Sequence, residues 1–313
     1  MLLLPRLNDL AVVFVSIVIQ SLPFVLIGVF ASALVQQYLS ERLVLRWMPR
    51  RALPAVLLGS VFGMVAPVCD CGAIPLGRRL AAKGVPTYVA LTFMLAAPVV
   101  NPVVALSTVV AFQGDWSIVA LRMAMTVSVA VPIGLITSWL PPTLATLAPT
   151  PIRGGSLDAA GADEPARSGW RALIRHANAE FFDVMFFIVL GALVTAATQT
   201  LVPRGDLLAV GADPLGSIAA LMPLATLLSI CSEADAFVAR AFATTFTLGS
   251  VLAFMTIGQI IDLRNGFLLL RTIGVRLVLL VAAVSYVIVF TEAVVVNEVV
   301  AAWGGVTWMT GRP

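Results

Sequence analysis

The chain has 313 residues and a net charge of +3; it is 60% hydrophobic but only 11% charged, and its mean hydropathy is +1.03. Soluble domains carry about 25% charged residues, so the composition excludes a soluble enzyme or a nucleic-acid-binding module and predicts an all-α polytopic membrane protein. Its three cysteines all lie within two apolar segments, which leaves no disulfide scaffold to infer.

In chain order, the N-terminus lacks a basic region followed by a small-residue cleavage site, so Leu10 to Val35 reads as a retained first span. A basic loop follows with Arg42, Arg46, Arg50 and Arg51. Leu53 to Val68 is apolar, and the helix is then expected to break over Pro67, Gly72 and Pro75 and to resume near Ala73, with Arg78, Arg79 and Lys83 around its end. Thr87 to Phe112 reads as a span interrupted at Pro98 and Pro102 with Asn101 between them, and Trp116 to Leu140 as an unbroken one. Residues 141–176 form a polar segment read as a cytoplasmic linker. It divides the chain into an N-terminal transmembrane repeat, 1–140, and a C-terminal one, 177–313. The second half repeats the layout with Asn178 to Thr200, Leu215 to Ile230, a break at Cys231, Ala236 to Thr247, Gly249 to Leu270 interrupted around Asp262 to Gly266, and Leu277 to Val300.

Sliding one half over the other by 162 positions puts Cys69 on Cys231, Arg78 on Arg240 and Pro98-to-Asn101 on Ile260-to-Leu263. Two halves with corresponding interrupted segments point to a transporter's binding site. The first arm, Leu53 to Val68, spans roughly 24 Å against a core of about 30 Å. Folding it back as a re-entrant hairpin places 13 of the 19 basic residues on one side, as the positive-inside rule requires. The expected architecture is therefore two inverted repeats, each with three spanning helices and a broken, re-entrant helical hairpin; eight single crossings are the alternative.

The candidate site residues cluster at the breaks. Cys69, Cys71 and Cys231 carry soft sulfur that suits Cu(I), Zn(II) or a trivalent metalloid; small apolar filler is the other reading. Asp70, Glu233, Asp235 and Asp262 are carboxylates in apolar surroundings, where each costs about 2.5–3.5 kcal/mol at a helix centre unless it meets a cavity or partner. They are candidate proton carriers, or ion-pair partners of Arg240 and Arg264. Asn101 either offers its amide to a substrate or caps a half-helix. Half-helices starting near Ala73 and Ala234 could present positive dipole ends to an anion. His176 is expected at the surface, Glu180 and Asp183 at a helix start, and Thr291-Glu292 has no assigned role. No G-x-x-x-x-G-K-[ST] or H-E-x-x-H motif occurs, so neither nucleotide hydrolysis by the chain itself nor metalloprotease chemistry is expected, and no cofactor is implied.

Pro67-Val68-Cys69-Asp70-Cys71-Gly72-Ala73-Ile74-Pro75-Leu76, Ala96-Ala97-Pro98-Val99-Val100-Asn101-Pro102 and Ile230-Cys231-Ser232-Glu233-Ala234-Asp235-Ala236-Phe237 together resemble the motifs of the YraQ/ArsP-type predicted permeases. Ile261-Asp262-Leu263-Arg264-Asn265 resembles that family's fourth motif. The resemblance covers most of the chain outside 141–175 and implies an integral permease of the bacterial inner membrane. The best-defined members export trivalent organoarsenicals with cysteines implicated. It makes Cys69, Cys71 and Cys231 thiol-site residues, and Asn101, Asp235 and Asp262 motif residues. The chain departs from the pattern at Asp70, where Ser is usual.

The expected function is a secondary permease, not an enzyme. It exports a soft, thiol-reactive substrate, a trivalent organoarsenical or a metal or metalloid, coupled to protons. A permease for an anionic or sulfur-containing metabolite and a membrane thiol oxidoreductase are the alternatives. The expected partners are the substrate and the lipid bilayer; a homo-oligomer is left open.

Overall fold

Capping residues and prolines decide where the helices begin and end. The computed structural model describes residues 10–19, 51–64, 68–141, 188–197, 213–243 and 245–302 and a few isolated positions besides, with Asp70 and Cys71 described in backbone only. Among these residues there is no strand. The helices are α1 (Leu10–Ile19), α2 (Ala52–Val61), α3 (Asp70–Ala82), α4 (Thr87–Ala96), α5 (Pro102–Ala111), α6 (Trp116–Trp139), α7 (Ile188–Ala197), α8 (Pro214–Leu228), α9 (Asp235–Phe242), α10 (Leu248–Ile260), α11 (Leu263–Ile273) and α12 (Val275–Ala302).

Asn101 and Asp213 cap α5 and α8, each of which starts with proline. A first-turn N–H has no helical acceptor, so its absence costs nothing there. Asp115, Thr247 and Asp262 cap α6, α10 and α11 through their side chains. Helix α6 and residues Val275–Val300 of α12 are long and apolar enough to cross a membrane alone. Helices α10 and α11 pass the same test together, bent by 43°. Helices α2 and α8 have 10 and 15 residues, roughly 15 and 22 Å at 1.5 Å per residue, short of a core of about 30 Å.

The order α2 to α6 is repeated by α8 to α12. A shift of 162 carries the first residues of α2, α4 and α5 to 214, 249 and 264, against 214, 248 and 263 observed. Helix α2 packs on α4 and α6 as α8 packs on α10 and α12, while α3 meets α11 and α5 meets α9. Contacts between the halves are thus exchanged as a two-fold relation exchanges them. Every residue of α10 is buried, as is Val89 to Ala96 of α4; helices enclosed on all sides are apolar on all sides. These two helices touch at the centre of the bundle.

Three sequence expectations shift. The first helix resumes at Asp70 rather than near Ala73, so Gly72 and Pro75 lie inside α3; Pro75 removes only the one N–H that would bond the Cys71 carbonyl. The second break leads into α9 at Asp235. The third interruption falls at Ile261–Asp262, and Asn265 and Gly266 are helical. Asn101 therefore corresponds to Asp262, one position off the 162-residue register. Pro67, His176, Glu180, Asp183 and linker residues 142–176 lie outside the described residues.

Helix α7 approaches α11 closely at Gly191, where a Cβ would sit 2.8 Å from Arg264 Cα. Gly191→Ala is expected to force the helices apart and lower stability by about 1–3 kcal/mol, read as a lower thermal midpoint of the protein in detergent or nanodiscs.

Candidate functional site

A guanidinium inside an apolar helix must find a carboxylate and fill its remaining N–H groups. Arg122, in the second turn of α6, finds the carboxylate and satisfies both terminal nitrogens, while its Nε is buried without a partner. Its Nη2 donates to the Asp235 carboxylate oxygens at 2.8 and 2.7 Å and to the Ser232 carbonyl at 3.3 Å. Its Nη1 donates to Thr108 Oγ1 of α5 at 2.8 Å. Gln259 Nε2 of α10 donates to Asp235 Oδ2 at 2.8 Å and to the Ile230 carbonyl at 3.2 Å. Arg122 and Asp235 are each 1% exposed. Four helices, α5, α6, α9 and α10, thus converge on one ion pair.

The segment they hold is the break between α8 and α9. Helix α8 stops because Ser229 adopts a left-handed conformation, φ 47°. The Ser229 hydroxyl accepts from the Leu263 N–H of α11 at 3.1 Å. The Cys231 carbonyl accepts from Ala234 and Asp235 as α9 begins. In the first half the Cys69 carbonyl accepts from Gly72 and Ala73 in the same way, so the two cysteines are equivalent entry positions, 162 residues apart. Cys69 is buried and Cys231 half-buried.

Helix α11 supplies the other half of the site. Arg264 Nη1 donates to Cys231 Sγ at 3.1 Å, and Nη2 lies 3.8 Å from Asp262 Oδ2. Asp262 caps α11, accepting from the Asn265 N–H and, at 3.2 Å, from its side-chain amide. The same helix packs against α3, whose first turn Cys69 opens. Glu233 lies in the turn before α9, with one carboxylate oxygen buried.

Several expected roles fall differently. The counter-ion of Asp235 is Arg122, not Arg240, whose guanidinium sits 5.9 Å from the Phe112 ring centroid. Asn101, expected as a substrate ligand or a cap, commits both ends of its amide to capping. Its Oδ1 accepts from the Val104 N–H at 2.9 Å, and its Nδ2 donates to the Ala97 and Pro98 carbonyls at 3.2 and 3.1 Å. Pro98 lies in the turn before that cap and Pro102 starts α5. Among the described residues no group of three or more His, Cys, Asp or Glu is placed to hold a metal; the Cys71 and Asp70 side chains lie outside them. Glu292 of α12 turns toward Ser128 of α6.

Arg122, Gln259 and Thr108 did not stand out in the sequence. Arg122 carried a usable signal, a lone charge in a 24-residue apolar helix, which calls for a partner. Gln259 and Thr108 carried none, because one amide or hydroxyl in a buried helix is common.

A family profile described as a predicted permease, of the ArsP type, matches residues 6–298. The UPF0718 protein YcgR of Bacillus subtilis (strain 168) is 38% identical over 294 residues, covering 91% of this chain and 96% of that protein. A protein of Streptococcus mutans serotype c named a putative two-component membrane permease complex subunit is 30% identical over 288 residues, covering 91% and 94%. The UPF0718 protein YraQ of Escherichia coli (strain K12) is 29% identical over 127 residues, covering 40% and 36%. No solved structure matches.

Removing one member of a buried ion pair leaves an uncompensated charge and costs about 3–5 kcal/mol. Arg122→Ala is therefore expected to destabilise the protein by that amount in thermal or denaturant unfolding. The double variant Arg122→Leu/Asp235→Leu is expected to regain most of the loss, because no charge then remains buried alone.

Proposed function

This chain belongs to the predicted permease family of the ArsP type, and from that membership we propose that it is a secondary transporter exporting a soft, thiol-reactive substrate. It is a multi-pass bacterial membrane protein. The observation that carries the substrate class is the Cys231 thiol, set in a helix break with Arg264 Nη1 3.1 Å from its sulfur. Sulfur is a soft donor suited to a trivalent organoarsenical, a metalloid or a soft metal. In this reading Cys69, and Cys71 two positions on, add further sulfur from the first break, brought to the site through the packing of α3 on α11.

The two halves, 1–140 and 177–313, act as inverted repeats about the linker, with α2–α3 and α8–α9 as re-entrant hairpins meeting near the midplane. Three features support this: the exchanged contacts between halves, the shortness of α2 and α8, and the expected place of transporter sites at discontinuous helices. Rocking of one half against the other exposes the site alternately. Coupling to an inward cation, the proton in the first instance, assigns the carboxylates different work. Asp235 is tied to Arg122 and Gln259 and Asp262 is tied to its own helix, so Glu233 is the carboxylate left to carry a charge among the described side chains of the breaks, with Asp70 the candidate outside them. The N-terminal end of α9, the dipole expected near Ala234, already carries the Asp235 carboxylate in its first turn, which speaks against that end as an anion site. The Streptococcus mutans relative's name extends here to the proposal that the chain works with a second membrane component or a second copy.

Everted vesicles supplied externally with a trivalent methylarsenical test the substrate. Cys231→Ser and Cys69→Ser are each expected to reduce uptake at least tenfold, about 1.4 kcal/mol of transition-state or binding energy. Uptake unchanged in both variants would remove thiol ligation and favour an anionic or sulfur-containing metabolite instead.

A further inference from the structure

Around the break between α8 and α9, Ser232 Oγ, Glu233 Oε2 and Gln259 Oε1 are buried and meet no hydrogen-bond partner. Buried polar atoms are nearly always paired, so orphans on two adjacent turn residues and on the glutamine that bonds the same turn mark something else that completes them. Ser232 is 0% exposed and Gln259 is 4% exposed. The Gln259 amide is pinned at the break by its Nε2, which donates to the Ile230 carbonyl and Asp235 Oδ2. Turning it over would set Oε1 against two acceptors, so Oε1 stays at the break on the side away from them. Ser232 is held by its carbonyl on Arg122, and Glu233 follows it directly, close enough to Asp235 for their charges to interact.

Charge points the same way. Arg122 answers Asp235 and Arg264 stands beside Asp262, while among the described residues no basic side chain pairs with Glu233. The negative charge of half-buried Glu233 is left over, with its Oε2 shielded from solvent. Three oxygens, one of them anionic, are the donors a hard cation takes. The C-terminal end of α8 points at the same break and adds its negative partial charge. We propose that Ser232 Oγ, Glu233 Oε2 and Gln259 Oε1 form a binding site for a monovalent alkali cation, sodium, at this break. The bound ion neutralises Glu233 and ties the turn before α9 to α10, the helix that also holds Asp235; its release frees that turn. As the coupling ion of the export step, sodium rests on the transporter reading above; the site itself does not.

The test is binding of radioactive sodium to the purified full-length protein in nanodiscs, at fixed pH and with no transported substrate present. The expected result is saturable binding that weakens about tenfold or more in Glu233→Gln, because ligand charge sets cation affinity. Ser232→Ala is expected to weaken it to a smaller degree, and Asp213→Asn, an exchange at a surface helix cap, to leave it unchanged. Gel filtration and circular dichroism establish that each variant is folded, and Ser232→Ala carries the test where Glu233→Gln does not fold. Absence of saturable binding, or binding untouched by both site variants, overturns the site. Sodium binding that persists while arsenical uptake fails supports the site and removes only the substrate reading. Arsenical uptake driven by a pH gradient without any sodium binding does the reverse.

Discussion

The structure depends on satisfying a charge where water is absent. Arg122 sits on a helix that crosses the membrane, and a guanidinium there is tolerable only with a carboxylate and several acceptors around it. Its planar fork provides that geometry, reaching both oxygens of Asp235, a hydroxyl of α5 and a backbone carbonyl of the break. A lysine would offer a point charge without the fork. The pair therefore does more than neutralise itself. It draws the start of α9 against α5, α6 and α10, and so holds open the segment that carries Cys231, Ser232 and Glu233. Irregular backbone at membrane depth survives only where protein satisfies it, and here Arg122 and Gln259 supply the donors for its Ser232 and Ile230 carbonyls.

The two halves share a backbone plan but not a chemistry. Cys69 and Cys231 open corresponding helices, and Asn101 and Asp262 cap a second corresponding pair, α5 and α11. Yet the positions matching Asp235, Gln259 and Arg264 are Ala73, Pro98 and Val103. Repeated caps and prolines preserve the breaks because those act on the local backbone. Polar side chains that hold a break in place need appear only once. This division explains why the halves repeat in layout while few residues are identical.

The breaks were legible in the sequence because Pro, Asn and Asp impose themselves within three or four residues of where they stand. Asn101-Pro102 marks a helix start on sight, and Trp116–Trp139 is apolar apart from Arg122 and a few hydroxyl side chains. The boundaries slipped where a proline was read as a stop. Pro75 is carried inside α3 because its one missing bond lies at the edge of an existing break.

Composition, apolar run lengths and capping residues by themselves determined that this chain is a helical membrane protein with two halves broken at corresponding points. All of these signals act over one or two helical turns. The partner of Asp235 was decided only by the tertiary structure. Arg122 stands 113 residues away in sequence, whereas Arg240, the sequence's nearer candidate, belongs to the same short helix and turns to Phe112. The thiol beside Arg264 and the unanswered oxygens of Ser232, Glu233 and Gln259 were decided the same way. A buried charge chooses among partners by the packing of whole helices, and that choice is made between segments whose local patterns carry no record of one another.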